Sequence, residues 1–325
     1  MTAPATDQPA GPASGATADP TTRQATAQPL IRLRDAVVAF GRRRGRTARA
    51  LDGVDFDVLA GQSVALLGPN GSGKSTLLGV LAGTVALTHG RLERRASLRL
   101  GVVFQSPALD RLLTVRENLR VQAALFGGGV EPRRIERLAS DMGLDDHLDR
   151  PVRTLSGGLV RRTEFVRAIL AEPQVLLLDE ATAGLDLPAR AALLGAVESM
   201  RAQFPDRAVV MSTHLLDEAE RCTQVVMLSQ GRVVCQGEPG ALVAELGPML
   251  LGVPAGVDRA DLPDIEGLAW KALADGTQVA RAPSSEALAA WSDRLARAQV
   301  PFFVRPPTLA DAYLLHAGRP LEGGR

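Results

Sequence analysis

The spacing of apolar and polar positions changes several times along the chain, and each change predicts an element. Met1 to about Pro29 holds Ala, Thr, Pro, Gln and Gly with almost no large apolar side chain. Such a segment cannot offset its ordering entropy by burial and reads as a disordered tail over 1–29. From Leu30, LIRLRDAVVAF alternates with period two, like an edge strand. An arginine-rich hairpin turn, Arg42 to Arg49, then leads to a second strand over Val54 to Leu59. SVALLG, Ser63 to Gly68, is a continuous apolar run, as in a strand buried on both faces, and STLLGVLAG, Ser75 to Gly83, reads as an apolar helix.

Arg91 to Gln105 holds two short strands. Val115 to Phe126 has helical spacing, and further short helices follow, punctuated by Gly127 to Gly129, Gly143 and Pro151. Together they predict a helical insert over about 106–160. Thr154 or Ser156 can cap a helix that opens with Gly157 and Gly158. Next come a buried strand over Val175 to Leu178, a helix from about Pro188 to Gln203, a strand over Ala208 to His214, a helix over Leu215 to Cys222 and a final strand pair, QVVMLSQGRVVCQG. The pattern is that of an α/β domain over about 30–247. Beyond it, 248–325 reads as a small αβ appendage: strands over Leu268 to Leu273, Gln278 to Arg281 and Phe302 to Arg305, an amphipathic helix over Ser284 to Gln299, and a short terminal helix within RPPTLADAYLLHAGR.

Composition mainly excludes. With 325 residues, 46% of them hydrophobic, the chain can bury a large core, and its formal net charge of +1 sets up no field that demands nucleic acid or an acidic membrane. Cys222 and Cys235 form neither a metal spacing nor a disulfide framework. No apolar run reaches the roughly 18 residues that a bilayer requires. The stretch Met249 to Val257 is broken by Gly252, Pro254 and Gly256, and the N-terminus lacks the basic start and apolar centre of a signal peptide. A soluble, intracellular chain is expected. The arginines of Arg42 to Arg49 read as a solvated loop, with contact to phosphate or anionic lipid as the alternative.

Chemistry enters at GPNGSGKST, Gly68 to Thr76, which matches G-x-x-x-x-G-K-[ST]. Its glycines let backbone N–H groups turn inward on phosphates, and the positive end of the following helix adds to that field. Lys74 would reach the β- and γ-phosphates and the Ser75 hydroxyl would ligate Mg²⁺. Gly157 and Gly158 expose a second set of N–H groups at a helix start. Asp179 and Glu180 close a buried strand, where an open parallel sheet places its chemistry, so holding Mg²⁺ and activating water is the favoured reading over a solvated strand end. Ser212, Thr213 and His214 follow another buried strand, in reach of a phosphate.

In order, the chain shows the phosphate loop, Gln105, LSGG at Leu155 to Gly158, the Walker B strand ending in Asp179 and Glu180, a D-loop ending in Asp186, and His214. This constellation resembles the nucleotide-binding domain of ATP-binding-cassette (ABC) transporters over roughly Leu30 to Leu246. LSGG just before a Walker B strand sets it apart from GTPases, kinases and RecA-like motors, and no N-K-x-D motif is present. The resemblance implies a P-loop NTPase fold with a mixed sheet core, an antiparallel β subdomain and a helical subdomain.

It also implies site residues. ATP would lie on Gly68, Pro69, Asn70, Gly71, Ser72, Gly73, Lys74, Ser75 and Thr76, with Phe40 stacked on adenine. Leu155, Ser156, Gly157, Gly158 and Asp186 would contact the nucleotide held by a second copy in a head-to-tail pair. Glu180 would position or deprotonate water, His214 would stabilise γ-phosphate charge, and Lys74 and Gln105 complete the catalytic set. Ser75, Gln105 and Asp179 would hold Mg²⁺.

Leu159, Arg161 and Arg162 after LSGG, together with the terminal RPPTLADAYLL, resemble the drug, antibiotic and polysaccharide export branch. Ala181 replaces the usual proline after Asp-Glu, which removes no catalytic group. The implied protein is an ATPase subunit on the cytoplasmic face of the cell membrane, working with separately encoded permease subunits and a second ATP-binding subunit, and with no nucleic acid. An importer ATPase is one alternative. A soluble ABC-type protein acting on ribosomes or chromosomes is another, set back by the single phosphate loop, the absence of sustained heptads and the lack of a basic surplus.

Overall fold

Five strands that are apolar on both sides can be satisfied only between two covering layers, and the computed structural model, which describes residues 28–43, 46–125, 131–273 and 275–318, builds that arrangement. Its central sheet has the order β5-β6-β7-β3-β8-β9, from β3 (Ser63–Leu67), β5 (Leu100–Val103), β6 (Val175–Asp179), β7 (Ala208–Thr213), β8 (Gln224–Ser229) and β9 (Arg232–Gly237). All neighbours are parallel except the β8–β9 hairpin at one edge. Alternate residues serve different layers. Val64, Leu66, Leu177 and Val210 join the cluster under the antiparallel sheet, while Ala65, Leu67, Leu178 and Met211 face the helices.

The antiparallel sheet, order β2-β1-β4, comprises β1 (Ile31–Arg43), β2 (Arg46–Val58) and β4 (His89–Arg94). Here β1 is central, not the edge strand its alternation predicts. Ile31 and Leu33 are fully buried while Arg32 is exposed, so the period-two pattern marks one solvent face of the sheet and not an edge. β2 also begins well before Val54, because Arg46 to Leu51 pair with β1. Residues 44–45 and the side chains of 42–47 lie outside the described residues, as do the tail over 1–27 and Phe126 to Gly129, so the turn and tail expectations are not addressed.

Among the described residues the α-helices are α1 (Lys74–Ala82), α2 (Val115–Leu125), α3 (Pro132–Asp141), α4 (Gly157–Ile169), α5 (Leu187–Gln203), α6 (Leu216–Glu220), α7 (Pro239–Ala244), α8 (Ser285–Arg297) and α9 (Leu309–Ala317). Ser156 caps α4, its hydroxyl accepting from Leu159 N. Of the two candidate caps, Thr154 instead ends a 3₁₀ turn.

A third, antiparallel sheet, order β11-β12-β10-β13, joins β10 (Leu250–Val253), β11 (Lys271–Ala272), β12 (Gln278–Arg281) and β13 (Phe303–Arg305). Its inner strand β10 falls in the stretch whose glycines and proline made it read only as a broken apolar run. Gly252 serves close packing there, since a Cβ would collide with the Phe303 ring. β11 is shorter than the strand expected over Leu268 to Leu273.

α9 does not stay with this sheet. Leu309, Ala312 and Tyr313 belong to the cluster beneath the central sheet, and the Tyr313 hydroxyl donates to Leu228 O at 3.0 Å. At its start Arg305 grips Asp311 with two hydrogen bonds, 2.7 and 2.8 Å, and Thr308 and Asp311 form a reciprocal capping box. The third sheet is thereby latched to the layer beneath the central sheet.

Asp311 is fully buried, and the Arg305 and Thr308 bonds outweigh burial to hold its carboxyl below the usual range. A carboxylate with a depressed folded pKa stabilises the fold above its unfolded value, about 3.9, and that contribution fades as pH falls through the folded value. Asp311→Asn is therefore expected to cost about 3 kcal/mol at neutral pH, the loss shrinking below about pH 4. Chemical denaturation of both proteins at pH 7 and pH 3 checks this; a gap that is unchanged or wider at pH 3 contradicts it.

Candidate functional site

The predicted residues converge because parallel strands end together. Val103 pairs with Leu178 and Leu178 with Met211, Asp179 with Ser212, and Leu67 with Thr213, so the exits of β5, β6, β7 and β3 form one rim. From β3 the chain turns through Gly68 to Gly73 into α1. Gly73, at φ 111°, is the helix N-cap and passes close to Ala50 O, which leaves no room for a side chain.

Lys74 is 4% exposed, and its ammonium donates to Gly68 O at 2.6 Å and Pro69 O at 3.1 Å. Burial lowers its pKa from the ordinary lysine value, with Glu180 and Asp179 opposing. The Ser75 hydroxyl donates to Asp179 Oδ1 at 3.0 Å, and the Ser212 hydroxyl donates to the same oxygen at 2.6 Å. Glu180, at φ 46°, sits in the left-handed region that non-glycine residues avoid. Its N–H donates to Ser212 Oγ at 2.9 Å, and its carboxylate accepts from Gln105 Nε2 at 3.1 Å. Ser75, Asp179, Ser212, Glu180 and Gln105 thus form one continuous hydrogen-bonded run.

Two observations fit a magnesium-bound triphosphate here. Ser72 Oγ is buried within the loop without a hydrogen-bond partner, and the Ser75 hydroxyl and Asp179 carboxylate meet as a hard-oxygen pair beside it. Gln105 bonds to Glu180 and not to that pair. Phe40 is 54% exposed on β1, and Asn70, Gly71, Ser156 and Gly157 are exposed.

Leu155 and Gly158 are half-buried, Leu155 against the helical core. No hydrogen bond among the described residues joins Leu155 to Gly158 with the phosphate loop. Asp186 caps α5, accepting from Ala189 N. His214 is half-buried between β7 and α6, beside a network in which buried Glu218 accepts from Thr213 Oγ1 and Arg190 Nε.

Sequence reasoning placed Ser212 near phosphate but missed its bridge from Asp179 to Glu180, and it missed the Arg190–Glu218 pair altogether. A serine in a buried strand directly before His214 was the available signal for the first. Arg161, after LSGG, was read only as a branch marker. Here it is buried and donates to the carbonyls of Phe104 and Gln105, and burial lowers its pKa against the pull of Glu164, Asp179 and Glu180.

Residues 51–183 match the ABC transporter family. Over 304 residues the chain is 33% identical to a Nod factor export ATP-binding protein I of Ralstonia nicotianae, covering 86% of this chain and 93% of that one. A zinc import ATP-binding protein of Halorhodospira halophila is 35% identical over 224 residues, 68% of this chain and 82% of that one. The solved structure of an ATP-binding subunit of an ABC transporter superimposes with a TM-score of 0.58 at 29% identity, covering 67% of this chain and 93% of that one. With a cradle built for a magnesium-bound triphosphate and relatives aligned along most of its length, the chain belongs to the ATP-binding proteins of ABC transporters and is an ATPase.

Proposed function

We propose that this ATPase drives export through separately encoded membrane subunits. One observation carries the direction: the export relative aligns over 86% of the chain, too much to end at the boundary near 247, whereas the import relative aligns over 68%. No helix among the described residues is long and apolar enough to cross a membrane. In this reading the path is supplied by a separate permease, with this subunit on its cytoplasmic face.

In this reading the units are 1–29, 30–247 with its helical insert, and 248–325, the last helix of which returns to the ATPase core. Lys74 and the N–H groups of Gly68 to Thr76 hold the phosphates, and Phe40 stacks on adenine. Ser75 and Asp179, joined by Gln105, would hold Mg²⁺, which would supply charge neutralisation for the triphosphate. Glu180 accepts a proton from the attacking water or aligns it, and His214 stabilises γ-phosphate charge. Exposed Ser156, with Gly157, Gly158, Leu155 and Asp186, meets the nucleotide of a second copy, so each site needs two chains. Isolation of the tagged chain from membranes tests the reading. A co-purifying multi-span permease and ATP-dependent efflux from cells are expected; ribosomal proteins, or inward transport in reconstituted vesicles, contradict it.

A further inference from the structure

α4, the helix that opens with the signature glycines, also holds the backbone on which Gln105 sits. Arg161 spans two successive carbonyls with its fork, Nη1 donating to Phe104 O and Nη2 to Gln105 O. One turn on, Glu164 Oε1 accepts from Ala108 N at 2.6 Å, and a further turn on, Arg167 Nη2 donates to Val102 O at 2.7 Å and to Glu164 Oε2 at 2.9 Å. Residues 161, 164 and 167 recur every third position, so they line one face of the helix. Glu164 is fully buried and Arg161 is 9% exposed. Charges this deep are costly unless their bonds are made, and here they are made mostly to main chain. Bonds to main chain fix the path of the segment whatever side chains it carries. The same segment then presents the Gln105 amide to Glu180.

We infer that Arg161 is a positioning residue for hydrolysis: through the backbone of Gln105 it ties the orientation of the signature helix to the Glu180 carboxylate of the same chain. Gly158 lies one turn before Arg161, so a shift of α4 as the signature meets a partner's nucleotide is carried through buried hydrogen bonds to the other site's water-activating group. The inference rests on the assignment of Gln105 and Glu180 given above.

The test uses the purified full-length chain with Arg161→Lys, Arg161→Met, Gln105→Ala and the double variant Arg161→Lys/Gln105→Ala. A lysine head cannot span both carbonyls, so Arg161→Lys is expected to fold and to bind nucleotide as the wild type does. Its kcat should fall about tenfold or more, as expected when a reacting group is displaced by a fraction of an ångström to an ångström. Amide exchange over 102–108 should quicken, a change that needs no turnover to be seen. The double variant should be no slower than Gln105→Ala alone. If Arg161→Met fails to fold, Arg161→Lys carries the comparison. Losses that multiply in the double variant, or wild-type kcat and exchange in Arg161→Lys, overturn the inference while leaving Gln105 and Glu180 standing. Wild-type turnover in Gln105→Ala overturns that assignment and this inference with it.

Discussion

Glu180→Gln is expected to cut ATP turnover about a thousandfold while leaving ATP bound and the chain dimeric. Glu180 is the more accessible of the two rim carboxylates, half-buried where Asp179 is buried and bonded by both Ser75 and Ser212. Its backbone is held in the left-handed region, which costs about 1–2 kcal/mol, and such outliers persist where the surroundings over-determine them. Here the bond from Glu180 N to Ser212 and the link from Gln105 do so. Glutamine is isosteric and keeps the fold, but it cannot take a proton and carries no charge to repel the γ-phosphate. Hydrolysis should stop with nucleotide enclosed. Phosphate release gives the rate and size-exclusion chromatography with ATP gives the dimer; undiminished hydrolysis removes Glu180 from the mechanism.

Lys74→Met is expected to weaken ATP binding about a hundredfold, the equivalent of about 3 kcal/mol for a charge-assisted contact, without destabilising the nucleotide-free protein. The two halves have one cause. Lys74 is buried and its protonated form is disfavoured by desolvation, so without phosphate it is a cost borne by the fold, only partly offset by the carbonyls of Gly68 and Pro69. Methionine keeps the stem and removes the ammonium. Thermal unfolding without nucleotide should show the variant at least as stable as wild type, and a titration with a fluorescent ATP analogue should show the affinity loss. A destabilised variant that binds ATP normally would reverse the assignment.

Much of this was legible in the sequence, because the site is written in short stretches that strand ends fix in place. The phosphate loop, LSGG, Asp179–Glu180 and His214 each follow or precede an apolar run whose type is unambiguous. What could not be read depends on contacts between distant stretches. β1 reads as an edge because a strand with one solvent face alternates whether or not it has two neighbours. β10 was hidden by Gly252, which breaks an apolar run in sequence but in space makes room for Phe303. α9 carries no mark that it leaves the third sheet for the core; the packing of Leu309, Ala312 and Tyr313 there and the Tyr313 bond to Leu228 O reveal it. Arg161 reads as one of several arginines until its partners prove to be carbonyls more than fifty positions away.

The central claim is that each ATP site is shared between two copies of this chain, and complementation tests it most directly. Gly157 is exposed, and a Cβ built there meets nothing within 4 Å, so Gly157→Glu should fold while placing a negative charge where the partner's γ-phosphate must come. Lys74→Met disables the phosphate loop alone. Each variant by itself should be inactive. Mixed in equal amounts, half of the dimers pair the two variants, and each such dimer has one intact site out of two, so turnover well above that of either part, with a quarter of wild type as the ceiling, should return. If the mixture stays as inactive as its parts, the site lies within one chain and the account is wrong.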